Sequence, residues 1–229
     1  MTYVGFAMGH HVRHLFERIR RTERLVVLRE ILRRIPFEPA MLSRLCFLRF
    51  DGVPHVPPGM LRGPGTVRAG TVDDIEGMVR LRDTRAAFLE RFAIKDHCVV
   101  AVVGGTVVGY EWFCDKPVHL ESVFAYLIQI PAGYLYAYDA YVDPHYRNSG
   151  FWLRFKAHVG GVMIDSGKTG VLTFVEFGNW PSFRSHLKFG FRPSWSVLAV
   201  RVFGRTLLQK ESTRPPAMIL ERMCRPTVR

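Results

Sequence analysis

The sequence lacks several features that would place a protein in a class at once. Its four cysteines are scattered and form no CxxC pair, so neither a zinc site nor a disulfide framework is indicated. No uninterrupted apolar run reaches the roughly 20 residues that span a bilayer. The first residues lack the charged region, apolar core and small-residue cleavage site of a secretory signal. These absences predict a cytoplasmic protein with no metal site.

Internal repeats and low-complexity tracts are also missing. Hydrophobic residues make up 48% of the 229 positions and charged residues 23%, a balance typical of a globular chain with a core. What the sequence has in excess is positive charge, with a formal net charge of +12 and a pI near 10.0. A field of that sign favours anionic partners such as nucleotide cofactors, nucleic acid, anionic lipid or acidic glycan. Because no recognition helix or aromatic RNA-binding signature is present, nucleic acid ranks low among them.

Residues 1–62 form a predicted N-terminal extension that carries much of this charge. Apolar residues recur at spacings near 3.6 over His11–Ile35, and arginines fill many other positions, which predicts a basic amphipathic helix. One interpretation packs the apolar stripe on the rest of the protein and leaves the arginines in solvent. The other docks the helix on an anionic membrane surface, with the protein peripheral to it, or on an acidic carrier protein. A short strand at Arg44–Phe50 and a Pro/Gly connection at Val53–Gly65 follow.

Residues 63–204 alternate strand and helix patterns, and residues 205–229 are a predicted tail. The Gly104-Gly105 turn joins two alternating runs into the clearest hairpin. Thr71 and Asp74 have the spacing of a capping box at the start of a helix. The predicted strands are Thr66–Arg68, His97–Val103, Thr106–Phe113, 134–142, Gly170–Phe177 and Ser194–Phe203, and the predicted helices are Val72–Arg80, Thr84–Phe92, 149–165 and Pro181–Phe189. Antiparallel strands followed by a β-α-β-α-β run predict a mixed α/β sheet.

The most informative stretch runs from Val142 to Gly150, between a predicted strand and a predicted helix. It is a short turn that carries Arg147 and ends in glycine. The first N–H groups of a helix have no internal acceptor, and the helix dipole adds partial positive charge there. A strand, such a turn and a helix N-terminus together favour the binding of an anionic phosphate.

Two spaced patterns lie in this region, separated by one helix and one strand. The pattern V-x-P-x-x-R/Q-x-x-G-x-G/A-x-x-L is matched at Val142, Pro144, Arg147, Gly150 and, in the apolar slot, Phe155. The pattern N-x-x-A/S-x-x-x-Y-x-x-x-G-F is matched at Asn179, Ser182, Gly190 and Phe191. With these motifs, residues 66–204 resemble the GNAT superfamily of acyl-CoA-dependent N-acyltransferases. The resemblance implies an α/β (α+β) fold whose mixed, mostly antiparallel central sheet is flanked by helices.

The resemblance also implies a co-substrate, acetyl-CoA or another acyl-CoA, with its pyrophosphate at the turn. The implied cofactor-binding residues are Tyr141, Val142, Arg147, Asn148, Ser149, Gly150, Phe151, Trp152 and Asn179. Three positions depart from the family pattern: Asn148 replaces a common glycine, Trp152 a Gly or Ala, and His186 a tyrosine. Asn tolerates left-handed backbone angles better than most residues, whereas an indole is large enough to crowd a pyrophosphate.

Four side chains are candidates for proton transfer. His186 is the candidate acid for the leaving thiolate, since histidine titrates near neutral pH, and the alternative is a surface or capping histidine. Asp139, in the strand before the turn, is the candidate base, and the alternative is a strand aspartate paired with an arginine. Glu176 is the next candidate base, followed by Glu111. Asn179 is expected to fix the backbone at a helix start more than to contact substrate.

The leading prediction is an N-acyltransferase that moves an acetyl or other acyl group from coenzyme A to a primary amine. One alternative takes a longer acyl chain from acyl carrier protein, as the N-acyl amino acid synthases with this fold do, and another binds acyl-CoA without turnover. Thr84–Asp96 and Asp115–Pro131 are expected to form the acceptor pocket. The aromatic content of the second segment fits a partly hydrophobic small-molecule acceptor or a homodimer contact.

Overall fold

The computed structural model describes residues 28, 31–32 and 40–213. The chain divides into two compact units. The central unit comprises Arg49–Leu120 and Leu127–Thr173, and the terminal unit comprises Met1–Leu48, Glu121–Tyr126 and Phe174–Arg229. The predicted basic helix at His11–Ile35 lies outside the described residues, apart from three helical positions at 28, 31 and 32. No helix among the described residues is long and apolar enough to cross a membrane.

Ten strands and four α-helices can be numbered along the described chain. The strands are β1 (Ala40–Asp51), β2 (Thr66–Ala69), β3 (His97–Val103), β4 (Thr106–Cys114), β5 (Val118–Glu121), β6 (Tyr126–Gln129), β7 (Tyr134–Val142), β8 (Gly170–Glu176), β9 (Arg192–Val202) and β10 (Arg205–Ser212). The helices are α1 (Ile75–Leu81), α2 (Arg85–Ala93), α3 (Phe151–Ser166) and α4 (Trp180–Phe189). Short 3-10 helices lie at Pro58–Leu61, Val72–Asp74 and Pro144–Tyr146.

The central unit is built on a sheet with the strand order β8-β7-β4-β3-β2. The pairs β2–β3, β3–β4 and β4–β7 are antiparallel, and β7–β8 is parallel. The β3–β4 hairpin turns at Gly104 and Gly105, which have φ angles of 55° and 78°. Both angles are positive, and glycine adopts positive φ angles without steric cost. The predicted fold class, a mixed and mostly antiparallel sheet flanked by helices, is confirmed.

Strand β4 is covered on both faces. Phe88 of α2 packs against Tyr110, with ring centroids 5.2 Å apart, whereas the next residue, Glu111, contacts Lys156 of α3. Because successive side chains of a strand point to opposite faces, α2 and α3 cover opposite faces of this sheet.

Helix α3 positions the predicted phosphate-binding turn. Phe151, Phe155, Val159 and Met163, spaced four residues apart, are all buried. Burying such side chains contributes roughly 1.5–3 kcal/mol each relative to leaving them exposed. The helix ends at Gly167, whose φ of 66° suits a left-handed C-terminal cap. This packing fixes where the N-terminus of α3 lies within the central unit.

The terminal unit has the strand order β10-β9-β1-β8. Phe177, after β8, donates its N–H to the carbonyl of Arg44 at 2.7 Å, and Phe47 of β1 stacks on Trp195 of β9 at 4.3 Å. β9 and β10 pair antiparallel between Arg205↔Val202 and Ser212↔Ser196.

Two predicted segments contain more regular structure than their patterns indicated. Residues 205–212, within the predicted tail, form β10, and every one of them is exposed. A strand without a buried face has no apolar alternation, so its sequence resembles a tail. The predicted loop Asp115–Pro131 contains β5 and β6, which form a separate two-stranded sheet. Each has four residues, which is too short for a readable period.

Candidate functional site

Strand β7 carries an extra residue near its end. Between the pairs Trp112↔Tyr138 and Tyr110↔Tyr141, β7 has two residues where β4 has only Glu111. The two are Asp139 and Ala140, and Asp139 has a φ of 44°. An L-residue adopts that left-handed conformation at a cost of roughly 1–2 kcal/mol. Such bulges bend a strand, re-aim its side chains, and are common next to active sites.

Side-chain and main-chain hydrogen bonds hold the turn after β7. The carboxylate of Asp143 accepts a hydrogen bond from the N–H of His145 at 2.8 Å, and its pKa is lowered by that bond and by the His145 ring. Arg147, which is exposed, donates from Nε to the carbonyl of Val142 at 3.3 Å. The arginine of the first motif therefore folds back on the last residue of β7.

The turn reaches α3 through two left-handed residues, Asn148 with a φ of 67° and Gly150 with a φ of 78°. The expectation that Asn148 tolerates such an angle is confirmed. Gly150 stands at the N-cap and has no side chain to accept the first amides of the helix, and the first turn contains no acidic residue. The partial positive charge of this helix end is therefore available to an anion.

The Pro/Gly connection before β2 packs against this turn, which the sequence did not predict. A Cβ on Gly63 would lie 2.9 Å from the carbonyl oxygen of Ser149, so the close approach requires glycine. Arg154 of α3 donates to the carbonyls of Pro64 and Gly65, each at 2.9 Å. The glycines of this connection were the only sign of the contact in the sequence. They did not predict it, because glycine permits a turn as readily as close packing.

Trp152, the departure from the family pattern, lies beside a buried ion pair. The Lys156 ammonium lies 5.2 Å from the centroid of its ring, one helical turn further on. Lys156 is 0% exposed and donates to Glu111, which is 2% exposed. The other Glu111 oxygen, Oε2, is buried with no hydrogen-bond partner among the described residues. Glu111, a candidate base, is thus engaged by the cation that also contacts the indole.

Asp139 is a strand aspartate paired with arginines, which was the alternative to its role as a base. Its Oδ1 accepts from Arg82 at 2.8 Å, and its Oδ2 accepts from Arg91. These arginines stand 57 and 48 residues before it, at the end of α1 and on α2. No local pattern in the sequence indicated either partner.

The two arginines also lie against aromatic rings. The Arg91 guanidinium is 5.0 Å from the ring centroid of Tyr138 and 5.4 Å from that of Trp112. The Arg82 guanidinium is 5.9 Å from the ring centroid of Tyr141. Stacking of this kind orients a planar guanidinium.

A second polar cluster surrounds Asp96. Its oxygens accept from Lys116 and from the hydroxyl of Tyr138, both at 2.5 Å. His119 and Cys114 place ligand atoms within 4.8 Å of the Asp96 carboxylate, the spacing of a metal site. Burial raises the pKa of Cys114 to about 12, however, and a metal needs the thiolate. With both Asp96 oxygens already bonded, this donor set does not suit a metal ion.

The remaining predicted residues belong to the terminal unit. The side-chain oxygen of Asn179 accepts from the N–H of Ser182 at 3.4 Å, so this residue caps α4 as expected. His186 is 7% exposed, and its Nδ1 lies 2.8 Å from the carbonyl oxygen of Ser182. A carbonyl only accepts, so Nδ1 carries the hydrogen. Glu176 accepts from the hydroxyl of Ser43 at 2.5 Å.

No family model matches the sequence, and no curated protein matches it. Solved structures do match. The GCN5-related glucosamine N-acetyltransferase region of a fungal multi-domain β-N-acetylglucosaminidase superposes with a TM-score of 0.52 at 14% identity, over 70% of this chain and 21% of that chain. The fold is GNAT-like.

Two further GNAT-like structures superpose less closely. A protein assigned to the GNAT family in Novosphingobium aromaticivorans has a TM-score of 0.49 at 14% identity, and this chain spans 66% of its length, just under two thirds. The aminoglycoside N-acetyltransferase AAC(6')-Iy, in complex with CoA, has a TM-score of 0.47 at 16% identity over 56% of this chain. At such identities the likeness concerns the fold alone.

Proposed function

We propose that this protein transfers an acyl group from coenzyme A to the nitrogen of an amine. The observation that carries the proposal is one continuous arrangement within the central unit. The bulged end of β7 leads through two left-handed residues, Asn148 and Gly150, into a first turn of α3 with no side-chain cap. In a GNAT-like fold, this arrangement suits a thioester on the strand and a pyrophosphate on the helix.

The turn has the chemistry that a pyrophosphate requires. The N–H groups of Arg147 and Ser149 are bonded within the turn, to the carbonyls of Pro144 and Tyr146. The main-chain N–H groups of Asn148, Gly150 and Phe151 would face the phosphates, and the exposed Arg147 guanidinium adds a full positive charge. The nearest carboxylate along the chain, Asp143, is already bonded to His145. Repulsion of the anion is therefore reduced, and a bound diphosphate is stabilised.

Strand β7 has the backbone donor that the thioester requires. It pairs with β8 over Tyr134–Tyr136 and continues to Val142. The N–H of Asp143 donates to the carbonyl of Val108 in β4 at 2.9 Å. Because N–H groups alternate between the two edges of a strand, that of Val142 points away from β4. We assign this amide to the oxyanion that forms when the thioester carbonyl is attacked.

The reaction needs two proton transfers and no covalent enzyme intermediate. The amine nitrogen forms a bond to the thioester carbonyl carbon, the C–S bond breaks, and the thiolate takes a proton. Glu176 and His186, the base and the acid expected from the sequence, remain predictions that substitution tests. Asp139 receives a positioning role, since both of its oxygens are held by arginines.

Calorimetry with acetyl-CoA, followed by a thiol-release assay over a panel of primary amines, tests the proposal. Acetyl-CoA is expected to bind, and at least one amine is expected to release free coenzyme A. Glu176→Gln and His186→Gln are expected to lower kcat by about 100-fold or more without weakening acetyl-CoA binding, since general acid–base catalysis contributes that much. Absence of acetyl-CoA binding would overturn the proposal. Binding without release for any amine would leave only a binding module.

A further inference from the structure

The cluster formed by Arg82, Arg91 and Asp139 carries an unbalanced charge. Two guanidinium groups meet one carboxylate, which leaves one net positive charge. Each arginine uses Nη1 for Asp139, and a guanidinium has five N–H donors in all. The geometry thus leaves donor capacity for a second anionic group beside the first.

The cluster is placed where a reacting molecule would meet it. Asp139 is one of the two bulge residues of β7, three positions before the Val142 amide assigned to the oxyanion. Arg82 is bonded directly to Asp139, and its side chain is 47% exposed. Its guanidinium lies near the ring of Tyr141, the residue before that amide. A ligand at the end of β7 therefore has a solvent-accessible guanidinium within reach.

Arg91 gives the cluster its rigidity. Its side chain is 21% exposed, and its guanidinium lies against the rings of Trp112 and Tyr138. A guanidinium that is already ordered loses less entropy when a ligand binds. Arg91 fixes Asp139, and Asp139 in turn fixes the more exposed Arg82.

We infer that Arg82, held by Asp139 and Arg91, binds a carboxylate on the acceptor, so that the acceptor is an amine that also carries a carboxylate, as an amino acid does. This inference rests on the proposed acyltransferase function and adds the class of acceptor to it. The paired N–H donors of a guanidinium match the two oxygens of a carboxylate. A polycationic amine would instead bring its positive charges against a cluster that is itself positive.

Matched pairs of acceptors isolate the carboxylate. Alanine is compared with ethylamine, and phenylalanine with phenethylamine, in acetyl-CoA-dependent thiol release. For the wild type, kcat/KM is expected to favour the amino acid of each pair. Arg82→Gln is expected to lower that preference by about 10-fold or more, mainly through KM, since hydrogen bonds to charged groups have that size. Differences in the basicity of the amines cancel when the two proteins are compared.

Arg85→Gln is the control. Arg85, the first residue of α2, is as exposed as Arg82, at 47%, and pairs with Glu76 of α1. This variant is expected to keep the wild-type preference. Thermal melting of both variants shows whether each remains folded.

Binding of N-acetylalanine, compared with N-ethylacetamide and followed by ligand-observed NMR, separates the inference from the proposed function. If no amine releases thiol, but N-acetylalanine binds the wild type and not Arg82→Gln, the carboxylate site stands and the acyl transfer fails. If Arg82→Gln keeps the wild-type preference, or N-acetylalanine binds both proteins equally or neither, the carboxylate site is wrong.

Discussion

Helices α3 and α4 both follow a strand of the sheet, yet they begin in different ways. Helix α4 begins behind Asn179, whose side chain accepts an N–H of its own first turn. Helix α3 begins behind Gly150, which offers no side chain and has a φ of 78°. Capping satisfies a helix end from within, whereas a glycine leaves the end to solvent or to a ligand. We therefore expect the cap of α4 to contribute to stability, and the proposed function assigns the open start of α3 to binding.

The largest expected effect comes from giving α3 a side chain at its start. Gly150→Val places a β-branched residue at a left-handed φ, which costs about 1–3 kcal/mol. Only ordinary contacts, at 3.8 and 3.9 Å, surround the added Cβ, so the effect is on the backbone and not a clash. We expect calorimetry to show acetyl-CoA affinity reduced about 10- to 100-fold. Gly161→Ala, where a Cβ meets nothing within 4 Å, is the control and should bind as the wild type does.

A smaller loss is expected when the turn loses its charge. Arg147→Gln removes one guanidinium facing the phosphates and should weaken acetyl-CoA binding about 5- to 10-fold, with a shallower dependence on salt. Titrations at two salt concentrations measure both. Arg184→Gln, on the exposed side of α4, removes the same charge elsewhere and should change neither. Equal losses of acetyl-CoA affinity in the two variants would mean that the affinity depends only on the net charge of the protein.

Removing the cap of α4 should affect stability and leave binding intact. Asn179→Ala is expected to lower the free energy of unfolding by about 0.5–2 kcal/mol, the usual cost of a lost N-cap. Urea denaturation measures this change, and calorimetry should show acetyl-CoA affinity within about twofold of the wild type. A variant with normal stability and weakened acetyl-CoA binding would show that Asn179 contacts the ligand, and the contrast between the helices would fail.

The smallest effect is expected at Asn148. A glycine at position 148 would adopt the φ of 67° without strain, which stabilises the folded state. It would also raise the entropy of the unfolded chain, which destabilises the protein, and these two effects on the free energy of unfolding nearly cancel. Asn148→Gly should therefore change the free energy of unfolding by less than about 0.5 kcal/mol. Denaturant melts check this directly. A loss above about 1 kcal/mol would mean that the asparagine side chain, and not its backbone tolerance, holds the turn.

Much of the fold could be predicted because its signals are local. The capping box at Thr71 and Asp74 is present, and the Gly104-Gly105 hairpin and the helix of buried residues at α3 follow their patterns. The turn between β7 and α3, with its left-handed Asn148, was also readable, because backbone preference belongs to single residues.

The remaining features depend on residues far apart in the chain. The pairing of Asp139 with Arg82 and Arg91 spans 57 and 48 residues, and 26 arginines in the sequence offered many alternatives. The bulge in β7 is visible only against its partner strand, because Asp139 and Ala140 fit a regular strand by themselves. The Glu111–Lys156 pair likewise joins β4 and α3, and no repeating pattern in the sequence predicts a contact between the two elements.

The extra residue in β7 also decides to which face of the sheet each later side chain of the strand points. In a regular strand, Tyr136, Tyr138 and Ala140 would share one face, and Tyr141 would point to the other. With one residue inserted, Tyr141 returns to the side of Tyr110, and their rings lie 6.2 Å apart. Main-chain amides alternate with the side chains, so if β7 continued past Tyr138 without the bulge, Tyr141 would lie opposite Gly109 and the Val142 N–H would turn toward β4. A single insertion thus decides which amide the strand offers at its open edge.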